Sequence, residues 1–351
     1  MRIGILATDE QATTARYIER AVREAHFELR PLASAENARD LADLDYLIVV
    51  DPWFGAVKPL LMAPCPVIGY FIDVHLDLPT RLAYARYCDH VFVAQEDRVV
   101  DFTRLPHPSV HWLPLAGDPR VHHVPAQTRI YDIGFVGKLG PPGSARRTVL
   151  EQVLSRFSTN DYARYHTPTE MGHVYSRSKI VINKSINHDL NMRFFEAMTS
   201  GALLITDRDV PGLCRIGREG EHFVTYRTAD EAVEKVTYYL THDAEREAIA
   251  DCGRHLVLSQ HTYAHRLAQM LERGLHSPRL DAPARHATPR TEAIWRSECM
   301  RLIGASAVTV ANLMIEGHLS GPMLRNSVTA FARGLVRPVR IALSRRIRSP
   351  T

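Results

Sequence analysis

No apolar run in this chain approaches the roughly 18 residues that a bilayer-spanning helix needs, so the sequence predicts no transmembrane helix. Cysteine is sparse and scattered. The five thiols, Cys65, Cys88, Cys214, Cys252 and Cys299, form no CxxC pair and no His-rich spacing, which excludes a disulfide framework and a zinc knuckle and reads as reduced thiols. The opening MRIGILATDE enters a strand at once and lacks the charged, apolar and small-residue parts of a secretory leader. Together these absences predict a cytoplasmic protein. A large excess of one charge is also lacking: 43 Lys and Arg against 39 Asp and Glu leave a net +4, which does not argue for nucleic acid, and no base-reading motif is present.

What is present is apolar substance. With 351 residues, 45% of them hydrophobic, the chain can build two domains with separate cores. Short apolar or β-branched runs fall at Ile3 to Ala7, Phe27 to Leu32, Tyr46 to Asp51, Val67 to Asp73, Val91 to Gln95 and Val110 to Leu115. Helical stretches lie between them at Gln11 to Ala25, Ala56 to Met62, Thr80 to Tyr87 and Glu96 to Thr103. Near-continuous hydrophobic strands separated by helices imply a parallel sheet covered on both faces, one Rossmann-like domain over residues 1–120. Leu113 to Gln127, rich in proline and histidine and without a period, reads as an interdomain linker. Its histidines, His111, His122 and His123, have no carboxylate or cysteine at ligand spacing, so no metal is expected.

A second α/β run occupies 128–273. It comprises strands Tyr131 to Val136, Lys179 to Asn183, Leu203 to Thr206 and Glu221 to Tyr226, and helices Ala145 to Phe157, Thr169 to Arg177 and Ala229 to Thr241. A long helical tract, Asp243 to Arg273, closes it. The centre of this domain is NHDLNMRFFEAMTSGALLITD, Asn187 to Asp207. It reads as a short amphipathic helix ended by Gly201 and followed by a buried strand. Arg193 and Glu196 lie three apart and so project from one face: Arg193 offers a planar fork to a diphosphate, Glu196 two acceptors to a ribose diol, and an ordinary surface ion pair remains the alternative. The turn GKLGPPGS places Gly137, Gly140 and Gly143 before a helix whose N-cap is Ser144, with Lys138, Arg146 and Arg147 at the same end. Such a turn suits an anion; an ordinary βα loop is the other reading.

After the strand Val67 to Ile72 comes DVHLD. Its Asp73 and His75 stand where an α/β sheet places functional groups, and His75 beside a carboxylate is suited to act as a general base on an acceptor hydroxyl; capping by Asp73 with His75 as a loop residue is the alternative. Thr8 to Glu10, at the end of the first strand, border the same cleft.

Beyond the second domain the character changes. Residues 274–292 carry proline, arginine and alanine without a period and read as a linker; 293–351 read as a helical extension. From Gly317 to Thr351 there are seven arginines and no acidic residue, with Leu324, Val328, Phe331, Leu335, Val339 and Leu343 at helical spacing. A basic amphipathic stretch of this kind suits an anionic membrane surface, a partner, or the body of the protein itself.

The blocks LPLAGDP, YDIGFVGKLG, VYSRSKIVINKSINHDLNMRFFEAMTSGALLITD and TYYLTHDAEREAIADCGRHLVLSQHTYAHRLAQML resemble the GT-B glycosyltransferases of the CgeB-like branch, distantly similar to the family 4 transferases. The resemblance implies an α/β GT-B fold, two Rossmann-like domains facing a central cleft. It implies a nucleotide-sugar donor on the second domain, with Glu196 at the ribose and Lys138, Arg146 and Arg147 at the diphosphate. Gly137, Lys184, Asn187, Asn191 and Arg193 complete the expected donor contacts. Catalysis is expected without a metal or other cofactor, and Asp207 and Asp209, which have metal-motif spacing, are expected to cap a loop. The first glutamate of the family pair is replaced by His188. Tyr263, in HTYAHR, is expected to brace the closing helix against the first domain. The expected activity is sugar transfer to an acceptor hydroxyl; a non-catalytic GT-B binding or assembly protein and a nucleotide-sugar epimerase are the alternatives.

Overall fold

The computed structural model describes residues 1–7, 13–32, 38–52, 60, 62–76, 78–105, 109–125 and 127–276. Thr8 to Glu10, Asp77, most of the helix expected over Ala56 to Met62, and everything from 277 onward, including the basic stretch 317–351, lie outside the described residues.

Six parallel strands build the first sheet: β1 Arg2–Leu6, β2 Glu28–Leu32, β3 Tyr46–Val50, β4 Val67–Phe71, β5 His90–Val93 and β6 Val110–Trp112, in the order β2-β1-β3-β4-β5-β6. Every residue of β3 and β4 is buried, as two-faced coverage demands. Alternate residues feed two cores: Ile48, Ile68 and Tyr70 face one way, Leu47, Val49, Val67 and Phe71 the other. Pro31 is tolerated because β2 is an edge strand, where a missing N–H breaks no ladder. Among the described residues this half carries the helices α1 Thr13–Glu24, α2 Leu78–Ala85 and α3 Val99–Thr103. Strand order reverses between β1 and β3, which opens a crevice at their C-terminal ends.

The stretch read as a linker is packed. Leu113, Leu115 and Ala116 are buried, and Asp118 caps a one-turn helix, α4 Pro119–His122, by accepting from the Arg120 N–H at 2.9 Å. It has no period because its contacts come from both halves of the molecule. Arg266, 1% exposed, donates to the carbonyl oxygens of Pro114 at 2.7 Å and Leu115 at 3.2 Å.

The second sheet is parallel and four-stranded, β7 Tyr131–Gly134, β8 Ser178–Ile182, β9 Leu203–Asp207 and β10 Val224–Tyr226, in the order β10-β9-β8-β7. Around it lie α5 Ala145–Leu154, α6 Pro168–Ser176, α7 Met192–Ser200, α8 Leu213–Ile216, α9 Ala229–Thr241, α10 Asp243–Gln260 and α11 Tyr263–His276. Helix α7 buries Phe194, Phe195, Ala197 and Met198, each large side chain contributing about 1.5–3 kcal/mol, and ends at Gly201, whose φ of 78° a glycine adopts without strain. The long tract from Asp243 is two helices. It breaks at His261 and Thr262, where Thr262 bridges to Gly117, and α11 then crosses back onto α1 with the Tyr263 and Tyr17 rings 5.1 Å apart. Tyr263 is 2% exposed and lies in the core that the two halves share, which also holds Ile18, Val22, Phe195, Leu267 and Met270.

Candidate functional site

The loop from β7 to α5 carries three glycines in the left-handed half of backbone space, Gly137 at φ 132°, Gly140 at 100° and Gly143 at 78°. Two guanidinium groups strap this loop from beneath. Arg193 uses all three of its nitrogens: Nε donates to the Tyr175 hydroxyl at 3.2 Å, Nη1 to Asn183 Oδ1 at 3.1 Å and Nη2 to the Val136 carbonyl at 2.6 Å. Arg146 donates through Nε and Nη2 to the Lys138 carbonyl at 3.1 and 3.0 Å. Both lie over the Phe135 ring, 4.6 Å for Arg193 and 5.8 Å for Arg146. Arg193, expected from sequence as an open fork for a diphosphate, is therefore committed to shaping the loop that would hold one.

Among the other expected donor residues, Lys138 is exposed and makes no ion pair among the described residues. Arg147 pairs with Glu151 at 2.7 Å and reaches the Gly140 carbonyl at 3.4 Å. Buried Arg146 keeps Nη1 without a hydrogen-bond partner among the described residues; desolvation, and then Arg193, lower its pKa to about 10. Lys184 is directed to Asp207 at 3.0 Å, and Ser185 gives the same carboxylate its N–H at 3.1 Å and its hydroxyl at 2.6 Å. This buried Asp207 closes the end of β9, while Asp209 is exposed. Asn191, the N-cap of α7, donates to Asn183 Oδ1 at 3.2 Å. Asn187 is exposed, and so is His188, which sits at φ 54° in the same loop.

Glu196 takes a different direction from Arg193. It is 7% exposed and has no hydrogen bond among the described residues; His122 Nε2 lies 4.0 Å from its Oε1. Burial pushes this carboxyl up to about 7, opposed only by Arg193. A charged acceptor held dry and unpaired costs several kcal/mol unless a donor arrives.

On the first domain, Asp73 follows β4 just before the 3-10 turn Val74–Leu76, which carries His75. Desolvation raises the Asp73 carboxyl, His75 lowers it, and Asp189 of the second domain raises it, which places these three groups about one cleft. Asp51, which follows β3 at φ 45°, pairs with Arg81 of α2 at 2.7 Å. Asp51 Oδ1, His75 Nδ1 and Arg81 Nε on this side, and Arg146 Nη1, Asp189 Oδ1 and Asn191 Oδ1 on the other, are buried without a hydrogen-bond partner among the described residues. Such atoms are open to hydrogen bonds from water or from a ligand. Asp51, Arg81 and Asp189 were not singled out from the sequence, although Asp51 follows a buried strand just as Asp73 does. Tyr17 was missed as well, and His122 was weighed only as a metal ligand, because the pairing between them joins positions 105 apart.

Among the described residues no three His, Cys, Asp or Glu side chains group to hold a metal. A basin of about 450 Å³ between α1 and α4, lined by Arg16, Glu19, Arg20, Arg23, Glu24 and Arg120, lies away from the strand ends. Its walls are tied by ion pairs, Arg120 to Glu24 at 2.5 Å and Arg20 to Asp118 at 3.2 Å, and none of the candidate side chains faces it.

Residues 138–272 match the family model described as glycosyl transferase-like. No curated protein matches the chain. Among solved structures, the chain is similar to HepE of Anabaena in complex with UDP and glucose, at TM-score 0.57 and 10% identity, with 79% of this chain and 100% of that one covered. It is similar also to sucrose-phosphate synthase of Thermosynechococcus elongatus, at TM-score 0.55 and 12% identity over 78% and 99% of the two chains. BGT of phage T4 in complex with UDP-glucose aligns at TM-score 0.51 and 12% identity over 79% and 100%. The shared architecture is the GT-B fold, two Rossmann-type domains across a cleft.

Proposed function

We propose that this protein is a glycosyltransferase that moves a sugar from a nucleoside diphosphate sugar to an acceptor hydroxyl. The observation that carries this reading is Glu196, a buried carboxyl with no hydrogen bond among the described residues, on α7 within the glycosyl transferase-like segment. A ribose diol supplies the two donors that such a carboxylate needs. HepE and BGT, bound in their structures to UDP or UDP-glucose, support a donor of this class. The sequence blocks named above support placing the chain in the CgeB-like branch.

In this reading the diphosphate lies over the glycine loop, against exposed Lys138 and the N-terminus of α5, and positive charge from these groups and from Arg146 balances the leaving diphosphate without a metal. His75 takes the proton of the acceptor hydroxyl, and Asp73 beside it favours the imidazolium that forms. Closure of the two domains excludes water from the donor. The acceptor comes from the first-domain side, where Asp51 and Arg81 present unpaired atoms. The protein acts in the cytoplasm, with the basic stretch 317–351 as a peripheral contact to an anionic membrane or a protein, and it does not take nucleic acid as a substrate.

Incubation with UDP-, GDP- and dTDP-sugars tests the proposal. Release of nucleotide that rises with an added acceptor is the expected outcome; no binding and no release with any donor would overturn it. One observation favours a second reading, a non-catalytic binding protein: the position of the first family glutamate is His188, exposed on a loop. In that case a nucleotide sugar binds and is recovered intact.

A further inference from the structure

Glu196 is approached from both domains. Tyr17 comes from α1 of the first domain, His122 from α4 in the crossover, Tyr175 from α6, Arg193 from α7 itself and Tyr263 from α11; all five lie close enough to exchange electrostatic influence with it, while α10 adds only apolar Leu256 and Val257 to the same core. The tautomer of His122 is decided by its surroundings. Its Nδ1 accepts the Asp118 backbone N–H at 3.0 Å, so the neutral ring carries its proton on Nε2. That Nε2–H lies 3.1 Å from the Tyr17 hydroxyl and 4.0 Å from Glu196 Oε1. The Tyr17 ring meets the imidazole edge-on at 5.2 Å, and the imidazole is fully buried, so neither group has room to turn away.

We propose that Tyr17 and His122 are positioning residues for Glu196: the Nε2–H of His122 donates to the Tyr17 oxygen, and the pair sets the direction in which the carboxylate is presented to a ligand diol. The ribose subsite, otherwise built on the second domain, is then completed by a residue of the first. The inference rests on the reading of Glu196 as the ribose contact. The imidazole, 4.0 Å from Oε1 with its one proton given to Tyr17, holds the tyrosine oxygen in place and makes no hydrogen bond to Glu196 itself. With the Nε2–H given to the Tyr17 oxygen, the tyrosine proton makes no hydrogen bond to Glu196 in the unliganded structure and is left free to reach the carboxylate when a ligand diol engages it.

The experiment is calorimetric titration of the full chain with UDP and with 2′,3′-dideoxy-UDP, from pH 5.5 to 8.5. The ratio of the two affinities reports the diol contact alone. In the unsubstituted protein the ratio should favour UDP by at least about tenfold at pH 8, the worth of a hydrogen bond to a charged group. Tyr17→Phe, which keeps the ring packing, and His122→Gln, which keeps a donor near the Nε2 position, should each bring the ratio toward one and move the pH at which the preference fades upward. A purely structural role would weaken both nucleotides alike; an unchanged ratio in both variants overturns the inference. Glu196→Gln separates the two levels. If it keeps the diol preference, the reading of the site fails; if it loses the preference while Tyr17→Phe and His122→Gln keep it, only the positioning roles fail.

Discussion

Arg193 Nη2 donates to the Val136 carbonyl oxygen at 2.6 Å, and a Cβ on the next residue, Gly137, would lie 2.5 Å from that same nitrogen. The guanidinium and the missing side chain are two halves of one arrangement: the loop comes this close to the helix because Gly137 has nothing to displace.

Gly137→Ala should therefore be costly twice, through the clash and through a φ of 132° that an L side chain rarely adopts. A loss of roughly 1–3 kcal/mol in denaturant unfolding is expected, together with weaker nucleotide binding. Gly143→Ala is the control, since a Cβ there meets nothing within 4 Å, and it should cost only its backbone strain.

Arg193→Lys tests whether the residue serves the loop or the ligand. An ammonium cannot reach Tyr175, Asn183 and Val136 from one planar fork. The unliganded variant should lose roughly 2–4 kcal/mol of stability. Unchanged stability with lower nucleotide affinity would show instead that the group turns to the ligand in solution.

Glu196→Gln should stabilise the protein at alkaline pH. In the folded state the carboxyl titrates at about 7, against an ordinary 4.5. Between those values the native protein keeps a proton that the unfolded chain has released, so stability falls as pH rises through the window, by on the order of 3 kcal/mol. The amide cannot ionise. Melting curves of the variant and the unsubstituted protein should coincide near pH 4 and separate in favour of the variant by pH 8.

His122 has the opposite sign. Burial and Arg20 depress the imidazole to about 3 from 6.5. The unfolded chain binds the extra proton over that interval, so this residue contributes stability above pH 6.5 that is lost progressively as pH falls toward 3. The two slopes oppose each other between roughly 4.5 and 6.5. In a Glu196→Gln background the acid-side loss due to His122 should stand out as a steeper fall in melting temperature over that range.

His75→Ala should slow transfer by roughly 10²–10⁴-fold, the usual worth of a general base, with donor affinity nearly intact. A parallel loss of donor affinity would move His75 from acceptor chemistry to donor binding.

All six strands of the first sheet and all four of the second were legible in the one-dimensional pattern, most with ends shifted by one or two residues. A strand covered on both faces is apolar at every position, and that signature is local. The left-handed glycines after β7, the cap at Ser144 and the αL end of α7 at Gly201 were legible for the same reason: each satisfies backbone groups only a few residues away. What surrounds each functional side chain was decided by folding. The sequence spacing put Arg193 and Glu196 on one helical face, but only the packed molecule could direct the first to Val136, 57 positions away, and the second toward His122. The stretch Leu113 to Gln127 looked like a tether because its partners, Tyr17 and Arg266 among them, come from both ends of the described chain. Periodicity records which face of an element is buried; it carries nothing about which distant residue buries it, and the ionisation of Glu196 and His122 depends on that alone.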